Sequence, residues 1–350
     1  MATADAAFAG HLERVGAGRR RRARRRAIAL VAMCALLVAL MATMLMLGNT
    51  IYPVSDVVAV LAGHDVAGAS FTVGKLRLPR ALTGALAGIA FGIAGSTFQS
   101  MLRNPLASPD VIGIASGASA AAILSLVVLH WSGTATMLAS LGAGIATAVV
   151  IYVAARGGES TGGRLILIGI GVGAMLDAVV AYLLLGAAEW DLAVAARWMT
   201  GSLNGSRMDD IPPLAISIAI LLPLVLHLVR DLRALELGDS AATALGVRVD
   251  RSRLLLVVAA VALACFATAT TGPIAFVAFL AGPIAARIVG PGSSLAIPAA
   301  LMGGCLVLAA DLLGQFAFDT KFPVGVITGI LGAPYLLYLL IRTSRRGGSS

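Results

Sequence analysis

Apolar runs of bilayer-spanning length occupy nearly all of this 350-residue chain, broken by short turns and one conspicuous charged loop. A helix needs about 20 apolar residues to cross the hydrocarbon core, so this length supplies roughly ten crossings with little left over. With 59% hydrophobic and 12% charged residues, there is too little polar surface for an ordinary soluble domain. The expected fold is all-α and polytopic, with spans at 28–48, 78–100, 111–129, 134–155, 164–187, 210–229, 252–271, 273–289, 295–313 and 324–341. A basic tail over 1–26 precedes this ten-helix body of 27–342, which carries a loop at 230–250, and a short tail follows over 343–350.

The +9 formal charge is unevenly placed. Arg19, Arg20, Arg21, Arg22, Arg24, Arg25 and Arg26 crowd against the first apolar run, Ala27 to Leu47. A secretory signal has a similar order of charge and apolarity, but the length of this run and the spans after it favour a retained helix. An arginine cluster can also bind nucleic acid; abutting a span, it reads instead as positive-inside anchoring, so no nucleic-acid partner is expected. With the N-terminus in the cytoplasm, Arg103, Arg156, Arg164, the group Arg230, Arg233, Arg248, Arg251 and Arg253, then Arg287, Arg342, Arg345 and Arg346 join it there. Lys75, Arg77, Arg80, Arg197, Arg207 and Lys321 fall outside. The bias predicts an even number of crossings and both termini in the cytoplasm.

Gly84, Gly88 and Gly92 recur every fourth position, so they share a helix face and let another backbone approach. Gly169, Gly171 and Gly173 thin the fifth span in the same way. Two carboxylates lie within spans, Asp177 and Asp311, and an ionisable group there is costly unless wetted or partnered. Asp311 is expected near enough to the outer surface for wetting. Asp177 lies deeper and reads equally as a structural hydrogen-bonding group or as part of a pathway. Asn104-Pro105, Ser108-Pro109, Gly272-Pro273 and Gly282-Pro283 mark either discontinuous helices near a pathway or plain loop punctuation. The cysteines Cys34, Cys265 and Cys305 sit in apolar runs without metal or disulfide spacing and read as small buried hydrophobes.

The loop RDLRALELGDSAATALGVRVD, residues 230–250, interrupts this pattern. Ala234, Leu237, Ala241 and Leu245 recur at intervals of three or four, and Gly238 and Gly246 can break or cap the turns. That predicts a short helical hairpin lying against another protein; a solvated turn is the other reading. No P-loop, His-Glu-x-x-His motif or His/Cys ligand set is present, and no reactive constellation suggests an enzyme.

The stretch LPRALTGALAGIAFGIAGSTFQSMLRNPLASPDVIGIASGAS, residues 78–119, resembles the iron-siderophore and cobalamin permease family of bacterial ABC importers. Its most specific part is Gln99, then Leu102-Arg103-Asn104-Pro105-Leu106-Ala107-Ser108-Pro109-Asp110, Gly113 and Ser116-Gly117-Ala118. Trp198-Met199-Thr200-Gly201-Ser202-Leu203, Leu237-Gly238-Asp239, Thr271-Gly272-Pro273-Ile274-Ala275-Phe276-Val277 and Pro323-Val324-Gly325-Val326 follow in family order.

The resemblance implies ten spans per subunit in a bacterial inner or plasma membrane, and two permease subunits, identical or paralogous, around a central pathway. Two cytoplasmic ATPases, carrying ATP and Mg, and an extracytoplasmic binding protein are implied as partners, with no cofactor, metal or catalytic residue on this chain. Ferric siderophore is the implied cargo, with haem or cobalamin as the alternative; ion-coupled secondary transport is a remoter reading, motivated by Asp177 and the proline-broken helices. ATPase coupling is expected at Ala234, Leu235, Leu237, Gly238, Asp239, Ala241, Ala242, Leu245 and Gly246. Gln99, Arg103, Asn104, Pro105, Pro109, Gly272, Pro273, Gly282 and Pro283 are the pathway or helix-break candidates, with helix packing as their other reading. Where many members carry Pro-His or Pro-Gln, this chain has Gly282-Pro283, which is expected to move the helix break.

Overall fold

A computed structural model describes residues 2–109, 113–155, 161–290 and 294–347. Asp110, Arg156 and the tail 348–350 lie outside the described residues, as do the side chains of Arg230, Asp239, Arg342, Arg345 and Arg346. In chain order the helices are α1 (Ala2–Met46), α2 (Val54–Leu61), α3 (Ala69–Met101), α4 (Ile114–Val128), α5 (Thr134–Ala155), α6 (Thr161–Leu185) and α7 (Glu189–Met199). Then come α8 (Ile211–His227), α9 (Val229–Glu236), α10 (Asp239–Ala244), α11 (Val249–Thr271), α12 (Val277–Val289), α13 (Ala296–Phe316) and α14 (Val324–Gly347). The protein is an all-α polytopic membrane protein. Among the described residues seven helices are long and apolar enough to cross a bilayer: α1, α3, α5, α6, α8, α11 and α13. Shorter apolar helices, α4, α12 and α14, stand at the three remaining expected positions.

Helix α3 is the axis of the bundle. Its residues from Thr83 to Gln99 are almost all buried, against α11, α12 and α13. Small residues allow this density: a Cβ on Gly88 would collide with the Gly303 carbonyl of α13, and one on Gly92 with the Ala299 carbonyl. The glycine face therefore does bring two backbones together, although Gly84 meets the side chains of Leu203 and Leu308 instead. A further close approach falls one turn on, where Gly95 abuts the Ala278 carbonyl of α12. On α6, Gly173 approaches Gly113 at the start of α4, with the Gly169 carbonyl beside it, while Gly171 faces open space.

Two arginines tie α1 to the bundle at its opposite ends. Arg25 donates from Nη2 to the Arg287 carbonyl at 3.0 Å and from Nε to that of Ile288 at 3.2 Å, capping the last turn of α12. Arg77, in a π-helical stretch of α3 over Thr72–Arg77, donates to the carbonyls of Leu45 and Met46, both at 2.8 Å, and of Thr50 at 2.7 Å. The helix α1 runs unbroken through the arginine cluster into the apolar run. Cys265 and Cys305 are buried, but Cys34 points outward from α1, because this peripheral helix covers the bundle with only one face.

Candidate functional site

The hairpin α9–α10 forms at one end of the bundle, between α8 and α11. Apolar residues anchor it: Leu228, Leu232, Ala234, Leu235 and Ala242 are all buried in the main core. Leu237 and Leu245 are 68% and 67% exposed and point away from that core. The stripe expected from the sequence is thus divided, with Ala234 packed inward, Ala241 half-buried and the two leucines offered outward. Gly238 joins the helices at φ 108° and ψ 158°, a region open to little but glycine. At the far end Gly246, at φ 83°, closes α10: its N–H donates to the Thr243 carbonyl at 2.9 Å and that of Val247 to Ala242 at 3.0 Å. Those are the two bonds of a Schellman stop. Behind the hairpin, the Asp231 carboxylate accepts a hydrogen bond from the Ser252 hydroxyl and fixes α9 to α11.

The turn after α3 lies at the same end. Asn104 organises it: its Oδ1 accepts from the Leu106 N–H at 2.9 Å, its carbonyl accepts from Ala107 at 3.1 Å, and its N–H donates to Gln99 at 3.0 Å. This lets the exposed Pro105 follow without an orphaned donor, with Pro109 buried beyond it. Arg103 sits at φ 51° and brings its guanidinium against Gly238, 3.7 Å from where a Cβ would lie. Two motifs far apart in the chain, Arg103-Asn104 and Leu237-Gly238, therefore meet.

Gln99 has a different partner. It is buried, and its Nε2 donates to the Phe279 carbonyl at 2.9 Å. Phe279 stands four residues before Pro283, which has no N–H to give it, so Gln99 supplies the bond that the proline removes. Gly282 has no side chain, and the Gln99 carboxamide fills the space a Cβ would take. The helix break expected at Gly282-Pro283 does not occur: α12 continues through both to Val289. The break is at Gly272-Pro273, where α11 ends and α12 begins only at Val277, after Phe276 in a left-handed conformation at φ 64°.

Around that break the opposite end of the bundle is drawn together. Gly272 abuts the Trp198 carbonyl and Gly201 the Pro273 carbonyl, while the Ser202 N–H donates to Thr271 at 2.8 Å. Gly325 packs on the Thr200 carbonyl and donates to Gly201 at 3.1 Å. The candidates named from sequence thus occupy three levels rather than one cavity: Arg103, Asn104 and Pro105 near the hairpin, Gln99 with Gly282 and Pro283 in the bundle, and Gly272 with Pro273 at the far end.

Asp311 is fully buried, not wetted as expected. Arg80 of α3 grips it with two bonds, Nε to Oδ2 at 2.8 Å and Nη2 to Oδ1 at 2.7 Å; Gln315 donates to Oδ2 at 2.6 Å, and Arg80 also reaches Asn204. The sequence reading passed over Arg80 as this partner, although a span carboxylate and a span arginine near the same end were the available signal. Asp177 is exposed on the outer face of α6 beside Met175 and Val179, so it is not a structural group of this chain's interior.

Residues 35–342 match the FecCD transport family. The ferric enterobactin transport system permease protein FepG of Escherichia coli is 44% identical over 83% of this chain and 89% of its own length. The achromobactin transport system permease protein CbrC of Dickeya dadantii is 38% identical over 88% and 89%, and a cobalamin import permease of Halobacterium salinarum is 32% identical over 78% and 74%. A solved inward-facing ABC transporter, described as of metal-chelate type, superposes with a TM-score of 0.80 over 89% of this chain and 98% of its own at 24% identity, and so shares the fold.

Proposed function

The chain belongs to the FecCD transport family, and from that premise we propose that it is the membrane permease subunit of an ATP-driven importer of a ferric siderophore. The observation that carries the cargo class is the 44% identity with the ferric enterobactin permease, over 89% of that protein. The cobalamin relative at 32% keeps that chelate as the second reading. Family membership retires ion-coupled secondary transport.

In this reading α1, α3, α4, α5, α6, α8, α11, α12, α13 and α14 make ten crossings, and both termini lie in the cytoplasm with the basic tail over 1–26 and the tail over 343–350. The helices α9 and α10 then stand on the cytoplasmic side with Arg103, and the Gly201–Gly272–Gly325 junction and Arg80 on the other. A second permease subunit completes the pathway, two ATPases carrying ATP and Mg dock below, and a binding protein delivers the chelate from outside. This chain performs no catalysis. A large chelate is held by shape and by its delivery protein, so no iron ligands are needed; among the described residues no group of His, Cys, Asp and Glu could hold a metal ion.

Coupling falls to the hairpin. Buried Ala234, Leu235 and Ala242 root it in the bundle, while Leu237 and Leu245 present an apolar surface to the ATPase; Ala241 and Asp239 lie on the same short helix. ATPase closure can move the helices only if this element stays rigid, which the two glycine stops provide. Gly238→Val and Gly246→Val meet open space or one arginine tip, so their cost is backbone strain of about 1–3 kcal/mol, local to the hairpin. The expected outcome is normal membrane insertion with siderophore-stimulated ATP hydrolysis and uptake both reduced at least about fivefold. Full uptake by well-inserted variants would remove the coupling role.

A further inference from the structure

Between α8 and α11, behind the hairpin, lies a cavity of about 680 Å³, within the size range of small-molecule sites. Its polar lining consists of Arg248, Arg251 and His227, which are exposed, with Asp231, whose carboxylate accepts from the Ser252 hydroxyl. Among the described residues neither Arg248 nor Arg251 takes part in an ion pair. Two guanidinium groups against one carboxylate leave this lining net positive. The same helices also line it with apolar side chains, Leu224 and Leu228 from the end of α8 and Leu255 one turn along α11 from Arg251.

The surroundings select the ligand. Both helices have bilayer-spanning length, and the cavity sits where α8 ends at His227 and α11 begins at Val249, which is the level of the lipid headgroups. At helical spacing from Leu224 and from Arg251, exposed apolar side chains continue in stripes along the two helices, Ile216 and Ile220 on α8 and Leu254 and Val258 on α11. A soluble anion would use the arginines and ignore the stripes. An acyl chain would use the stripes and ignore the arginines.

We infer that this cavity binds the phosphodiester headgroup of an anionic phospholipid, held by Arg248 and Arg251, with its acyl chains along the α8–α11 groove. The site requires that α8 and α11 cross the bilayer and that the hairpin closes it with Ala234, Leu245 and Gly246; it does not depend on which cargo is carried. An acidic lipid here would lie directly behind the hairpin that α9 and α10 form.

Native mass spectrometry of the intact transport complex, released from nanodiscs containing equal phosphatidylglycerol and phosphatidylcholine, tests it. Phosphatidylglycerol adducts should exceed phosphatidylcholine adducts by about tenfold, and Arg248→Gln/Arg251→Gln should bring the ratio near one. Arg197→Gln, at the other end of the bundle, should leave the ratio unchanged. Equal adducts in the unaltered complex, or a preference that survives the double substitution, would overturn the site. Displacement by millimolar glycerol 3-phosphate would assign the cavity to a soluble phosphoester and overturn the lipid. Because both arginines are exposed, the variants should keep the melting temperature of the parent, which is read on the same samples.

Discussion

Replacing Gly95 by valine is expected to cut the yield of monodisperse, detergent-extracted permease to below about a tenth, while Gly171→Ala leaves it unchanged. A Cβ at position 95 would overlap the Ala278 carbonyl and stand 2.9 Å from the Ala278 Cα, so the obstacle is backbone of α12 and not a movable side chain. Overpacking of a side-chain core costs about 1–3 kcal/mol, and a clash between two helix backbones lies at or above the top of that range. At position 171 nothing stands within 4 Å, and alanine is the better helix former. Both residues are span glycines, and only contact geometry separates them. Equal yields would mean that α3 and α12 do not approach as described.

Arg80→Met carries the next largest effect. It leaves the Asp311 carboxylate with one donor, Gln315, in a site of no solvent exposure. Removing one partner of a buried pair costs about 3–5 kcal/mol because the remaining charge is uncompensated, whereas replacing both by apolar groups is often neutral. The single variant should therefore melt far below the parent, and Arg80→Met/Asp311→Leu should recover most of the loss in the same thermal-shift measurement. A double variant no more stable than the single one would mean that the ion pair is not what sets the penalty.

Much of this architecture was legible because a bilayer imposes length. Seven of the ten expected segments fall on helices long and apolar enough to cross and three on shorter apolar helices, and the Gly88 and Gly92 periodicity pointed to the face that meets α13. Gly95 escaped because it lies off that four-residue ladder, on the side facing another helix. Pro283 misled for a related reason: a proline advertises its missing donor, but the donor that replaces it, Gln99, stands 180 residues from the Phe279 carbonyl it serves. Arg80 and Asp311, 231 positions apart, are likewise joined only by folding. In the hairpin, Gly238 and Gly246 were legible as stops, since glycine at the end of a short apolar pattern has a local cause. Which residues of that pattern point inward was not, because Ala234 and Leu237 share the periodicity and differ only in what surrounds them.

The permease is proposed to import a ferric chelate under power from partner ATPases. Uptake of a panel of iron-labelled siderophores, in cells with and without this gene and with haem and labelled cobalamin as controls, tests it directly. The predicted result is selective loss of one ferric chelate, restored by complementation and absent again when the partner ATPase is deleted. Unchanged uptake of every ferric chelate with loss of cobalamin or haem would contradict the cargo, and uptake that persists without the ATPase would contradict the mechanism.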